Sequence, residues 1–246
     1  MGEDAIRAAV AAGYRAIDTA AIYGNEDAVG RAIADSGLAR DEFVVTTKRW
    51  NDSHGHDAAL RAFEDSRARL GLDVVDLYLI HWPQPRLDRY VETWRAFERL
   101  HEEGAVRAIG VSNFLPDHLE RLLAECDVPP ALNQVELHPH HACADLRALH
   151  AEHAIVTEAY SPLAQGGDVL DDPAIAAIAE RHGATPAQVA IRWSLQLGNV
   201  VIPRSSNPDR IAQNLDVFGF ELSDDEVDAI SGLDRGDRIG PDPRTF

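Results

Sequence analysis

The chain has 246 residues, 45% of them hydrophobic, with a formal net charge of -18. That length buries the core of one domain, 1–246, and the acidic balance argues against nucleic acid, because phosphate backbones need a basic face. The two cysteines, Cys126 and Cys143, lack metal-type spacing and no apolar run opens the chain, so no disulfide scaffold, secretion or membrane partner is expected and the location is cytoplasmic.

In chain order, Ile6 and Val10 mark a helix over 3–12 that Gly13 ends, and 14–18 follows as a strand with Asp18 at its end. Asn25 is placed to cap a second helix whose Val29, Ala32 and Ile33 share a face up to Gly37. Residues 43–47 form the next strand, with Lys48 at its end. Leu60, Phe63 and Leu70 mark a helix closed by Gly71, and 74–80 is an apolar run suited to a strand buried on both faces, ending at His81. Leu87, Tyr90, Val91, Trp94, Phe97 and Leu100 repeat at helical spacing before a strand over 106–111. Pro116 opens the next helix, 131–135 is a strand, Leu146 and Leu149 lie on a short helix, and 154–160 is a strand. Thr185, Pro186 and Gln188 form a capping box, 199–202 is the last strand, Asn207 and Pro208 start another helix, and Ser223 with Glu226 caps a final one.

This alternation implies a parallel sheet, either doubly wound or a (β/α)8 TIM barrel. Asp18, Lys48, His81, Ser112, Asn133, Gln134, Tyr160, Ser161 and Arg204 all fall at or just past strand ends. In a barrel those ends converge on one mouth, where active sites lie. No GxGxxG follows the first strand, which counts against the doubly wound sheet. Seven strands are counted where a barrel has eight.

Lys48 is the only lysine among the 23 Lys and Arg residues. An ammonium is a compact point charge, whereas a guanidinium is wide and planar, so position 48 calls for the former. Asp18, Tyr23 and Lys48 then make a proton-transfer set. Arg204, Ser205 and Arg210 surround the helix start at Asn207–Pro208, an anion site in which free backbone N–H groups and the helix dipole favour phosphate. Trp50 and Trp82 adjoin mouth residues and read as an aromatic substrate wall. His138, His140 and His141 lack an acidic or Cys partner at ligand spacing, so no metal is expected, and His54 and His56 read as solvated loop residues.

The runs DTAAIYGNE (18–26), TTKRWND (46–52), LYLIHWP (77–83), IGVSNF (109–114), LNQVELHP (132–139), AYSPLAQG (159–166) and IPRSSNPDRIAQN (202–214) closely resemble the aldo-keto reductases. With GPDP (240–243), the resemblance is greatest to bacterial members of the 2,5-diketo-D-gluconate reductase type. It implies a catalytic tetrad of Asp18, Tyr23, Lys48 and His81. A phenol, with an ordinary pKa near ~10, is a poor acid at neutral pH unless a cation stabilises its phenolate. Lys48 would supply that cation, Asp18 would hold it, His81 would orient the substrate carbonyl, and Tyr23 would donate the proton as hydride arrives.

The resemblance also implies NADPH. Arg204, with Ser205 and Arg210, would take its 2'-phosphate; Ser112, Asn113 and Gln134 its carboxamide. Tyr160 would stack on the nicotinamide, Ser161, Leu163 and Gln165 would line the pyrophosphate, and Gln213 and Asn214 would reach the adenine. A small carbonyl substrate is the expected partner. Two other readings stand beside this one: a Schiff-base aldolase using Lys48, and a non-catalytic NADPH-binding regulatory barrel. Family members begin with a hairpin and a first strand that this sequence does not show. The expectation is therefore a barrel with an open seam, monomeric if complete and self-associating through the edges beside Ala16 and Val201 if not.

Overall fold

The computed structural model describes residues 2–246. The chain divides into two compact units, one running up to Asn133 and including Asp242–Phe246, the other Gln134–Pro241. The first unit alternates α1 (Glu3–Ala12), β1 (Ala16–Asp18), α2 (Glu26–Ala34), β2 (Val44–Arg49), α3 (His56–Leu70), β3 (Val75–Ile80), α4 (Tyr90–Glu102), β4 (Val106–Ser112) and α5 (Pro116–Glu125), and enters β5 (Leu132–Glu136). The second continues with α6 (Ala144–Glu152), β6 (Val156–Tyr160), α7 (Pro173–His182), α8 (Pro186–Gln196), β7 (Val200–Ile202), α9 (Pro208–Leu215) and α10 (Asp224–Ser231). The sheet order is β1 through β7 in chain order, with β1 and β7 at its ends. This is the α/β organisation of a TIM-barrel-type fold, with the seven strands expected. Among the described residues, no helix is long and apolar enough to cross a membrane.

Register brings the polar strand ends of the first unit side by side. β1 pairs parallel with β2 through Asp18↔Thr46, and β2 with β3 through Lys48↔Leu79. The ladder runs past the strands: Thr19 N donates to Thr46 O at 2.9 Å and His81 N to Arg49 O at 3.3 Å. Every residue of β3 is buried, as its continuous apolar run requires. Leu77, Leu79 and Leu132 form a core cluster beside Gly110. A Cβ at Gly110 would meet Leu132 O and Leu79 Cδ2 at 2.7 Å each, so only glycine permits this approach.

The local signals held where the cap is built from neighbouring residues. Thr185 with Gln188 and Ser223 with Glu226 form reciprocal capping boxes. Asn25 occupies the N-cap position of α2 but its side chain does not cap; its Oδ1 accepts from Thr19 Oγ1 at 2.7 Å. Leu87 lies outside α4 and is half exposed. β5 extends to Glu136, so Asn133 and Gln134 are internal to the strand, not at its end.

Candidate active site

In the first unit Lys48 is fully buried, and its Nζ donates to Asp18 Oδ1 and, at 3.0 Å, to Thr19 O. A carboxylate and a carbonyl thus fix the Lys48 Nζ in a dry place. The same Nζ stands 5.4 Å from the centroid of the Tyr23 ring. Tyr23 lies in a short 3-10 turn, Ala21–Tyr23, ended by Gly24 at φ 61, and its side chain is among the exposed large ones at 51%. Its ring meets the His81 imidazole edge-on at 5.8 Å. Asp18, Tyr23, Lys48 and His81 are therefore brought together as the sequence predicts.

His81 is buried, and burial first, then the charges of Lys48 and Arg49, push its pKa down to about 2. The ring is neutral at any working pH. Its Nδ1 is buried with no partner among the described residues, so a proton there would be left without an acceptor. A kcat/KM profile should accordingly lack an acid limb near the ordinary imidazole value of 6.5. An acid limb there that disappears in His81→Gln would contradict a neutral His81.

Trp50 meets His81 edge-on at 5.1 Å, and Trp82 is buried nearby in sequence. Phe246, which no local pattern singles out, packs against both: its ring lies 4.6 Å from Trp82 and 6.3 Å from Trp50. Asn113, at φ 63, donates to His81 O at 3.0 Å and to Ser112 Oγ at 3.1 Å, so a left-handed residue ties the end of β4 to the segment after β3.

In the second unit Gln134 Nε2 donates to Glu158 Oε2 at 2.5 Å, which fixes its amide orientation. Tyr160 ends β6. Beyond it Ser161, Ala164 and Gln165 all have φ between 47 and 57, non-glycine residues in the left-handed region. Such conformations persist where surroundings or ligands over-determine them. Leu163 is half-buried between them. After β7, Arg204 and Arg210 are exposed and make no ion pair among the described residues, which fits a site for an anion. The Asn207 side chain already accepts from Asp209 N and Arg210 N, at 2.9 and 3.2 Å, and Ser205 Oγ accepts from Asn207 N. Any phosphate there would be held by guanidinium groups more than by free helix N–H groups, a correction to the sequence expectation. Gln213 is exposed on α9 and Asn214 is buried.

The histidines also need correction. His54 is buried, not solvated, within a hydrogen-bond chain described below. His56 Nδ1 faces Asp57 Oδ1 at 2.8 Å at the start of α3. His138 Nε2 faces Glu136 Oε1 at 3.3 Å, and His140 Nδ1 faces Arg235 Nη2 at 2.6 Å. Burial raises both thiols, Cys126 and Cys143, to about 11, so neither is a ready nucleophile.

The aldo/keto reductase family model matches residues 3–235. The chain belongs to the aldo/keto reductase family. This aldo/keto reductase is 56% identical over 244 residues to an aldo-keto reductase of Mycolicibacterium smegmatis, covering 99% of this chain and 88% of that one. It is 52% identical to an aldo-keto reductase of Mycobacterium avium, covering 99% and 85%. Among solved structures it is similar to a mutant of Gox0644 in complex with NADPH, with TM-score 0.94, 49% identity, and 99% and 89% of the two chains covered. The Bombyx mori aldo-keto reductase in complex with NADP gives a TM-score of 0.91 at 37% identity, covering 97% and 84%.

Proposed function

We propose that the 246 residues act as one barrel domain that reduces small aldehydes or ketones to alcohols with NADPH, Tyr23 serving as general acid. The observation that carries this reading is the buried Lys48 ammonium, clamped by Asp18 and the Thr19 carbonyl and set against the Tyr23 ring. The cation stabilises the phenolate that forms as the Tyr23 hydroxyl gives its proton to the carbonyl oxygen. Neutral His81, its proton on Nε2, donates to the same oxygen and orients it, and Trp50, Trp82 and Phe246 wall the substrate. When bound, NADPH supplies the hydride. Ser112, Asn113 and Gln134 are proposed to hold its carboxamide, Tyr160 its ring, Ser161, Leu163 and Gln165 its pyrophosphate, Arg204, Ser205 and Arg210 its 2'-phosphate, and Gln213 and Asn214 its adenine. The reading includes a cytoplasmic location, where Cys126 and Cys143 stay reduced.

A Schiff-base role for Lys48 is disfavoured, because its Nζ is fully buried and engaged by a carboxylate instead of facing a carbonyl as a free amine. The test is oxidation of NADPH across a panel of aldehydes and ketones. NADPH binding without turnover on any of them would favour the regulatory alternative. Arg204→Ala should weaken NADPH by about one to two decades, the worth of one charge-assisted contact at about 1.5–3 kcal/mol, and leave NADH nearly unchanged. Equal weakening of both cofactors would move Arg204 from the 2'-phosphate to the pyrophosphate.

A further inference from the structure

Arg49 follows Lys48 in β2 and so faces the opposite side of the strand. Its side chain is fully buried, and among the described residues no carboxylate forms an ion pair with it. Nη1 donates to Trp50 O, Nη2 meets His54 Nε2 at 2.8 Å, and Nε is buried with no partner. Burial draws this guanidinium down to about 10. Removing a charge from water with no paired carboxylate costs free energy, which the hydrogen bonds to Trp50 O and His54 Nε2 offset in part.

Its contacts lead on through His54 to Thr93 of α4. Arginine only donates, so His54 Nε2 is the acceptor and the imidazole proton is on Nδ1. That N–H faces Thr93 Oγ1 at 3.1 Å, which also accepts from Gly55 N at 2.8 Å and donates to Arg89 O at 2.8 Å. The hydroxyl's donor and both acceptor positions are then filled. Burial, and next the Arg49 charge, lower the His54 pKa to about 3 against its hydrogen bond with the Trp82 backbone, so the ring stays neutral. Both ends of the segment 50–55 are thus tied down: Trp50 O from beneath by Arg49, and Gly55 N by Thr93 of α4. The Trp50 ring, at the head of that segment, is the one that stands edge-on to His81.

We propose that Arg49 is a positioning residue: through the Trp50 carbonyl and the His54–Thr93 chain it fixes segment 50–55 so that the Trp50 ring holds its place against His81 and orients the substrate. This rests on reading His81 and Trp50 as substrate-facing groups. The guanidinium fork is what the role needs, because it reaches a carbonyl and an imidazole nitrogen at once.

The test is a double-mutant cycle between Arg49→Leu and Trp50→Ala in the full chain, with melting temperature, NADPH affinity, kcat and KM measured for each. Arg49→Leu leaves the buried His54 Nε2 without its donor and is expected to melt a few degrees below the parent, while binding NADPH within about twofold. Its kcat/KM on an aromatic aldehyde should fall by about ten- to a hundredfold, the scale of a misplaced substrate. In the Trp50→Ala background the same change should have little further effect. Arg49→Lys, which keeps a charge but not the fork, should behave like leucine. A full second loss in the Trp50→Ala background, restoration by lysine, or a loss that merely follows a lower melting temperature would each overturn the proposal. If Arg49→Leu is not recovered folded, the near-isosteric Thr93→Val cuts the same chain and enters the same cycle with the same expected outcome. Trp50→Ala and His81→Gln harmless on their own would instead sink the reading of the site, whatever Arg49→Leu does.

Discussion

Lys48→Arg is expected to lower turnover by about a hundredfold or more, the scale of one general acid's contribution. Lys48 has no room to grow: its side chain is fully buried, and Nζ is already fixed between Asp18 Oδ1 and Thr19 O. A planar guanidinium inserted there spreads its charge over a wider frame and cannot keep the same point charge against the Tyr23 ring. Overpacking of this kind costs about 1–3 kcal/mol, so the melting temperature should fall by several degrees while a folded population persists. Single-turnover rates on the folded fraction separate the two effects. Activity within a few-fold of the parent, measured that way, would remove Lys48 from the proton-transfer step.

The site was legible in the sequence to the extent that it depends on strand ends. Asp18, Lys48 and His81 follow apolar runs whose length and alternation locate the ends of β1, β2 and β3, and parallel pairing then aligns them. Capping boxes at Thr185 and Ser223 were equally readable, since all their partners lie within three residues. What could not be read depends on distant partners. Asn25 looks like a helix cap, yet Thr19, six residues back, takes its carbonyl oxygen. His54 sits among polar neighbours and looks solvated, but Arg49 and Thr93 bury it from two other elements. Phe246 meets Trp82 across more than half the sequence, with nothing in its own neighbourhood to mark it. Polar residues in a loop carry no periodicity, so their burial is decided by tertiary packing alone.

Tyr23→Phe isolates the chemistry from the fold better than any other substitution here. It removes one oxygen and keeps the ring that meets His81 at 5.8 Å. Because the Tyr23 side chain is half exposed, the melting temperature should be unchanged, as for most surface substitutions within about 0.5 kcal/mol. The hydroxyl acts on the substrate oxygen, so NADPH affinity should also stay at the parent value. Turnover should fall by about two to four decades, equivalent to roughly 3–5 kcal/mol of transition-state stabilisation. Lys48, Asp18 and His81 remain in place in this variant, so the loss belongs to the proton alone. A loss of NADPH binding would make Tyr23 part of the cofactor's wall, and turnover within a few-fold of the parent would leave the proton to come from water or from His81. In the second case His81→Gln in the Tyr23→Phe background separates the two sources: a further loss assigns the proton to His81, whose ring meets that of Tyr23 at 5.8 Å, and no further loss assigns it to water.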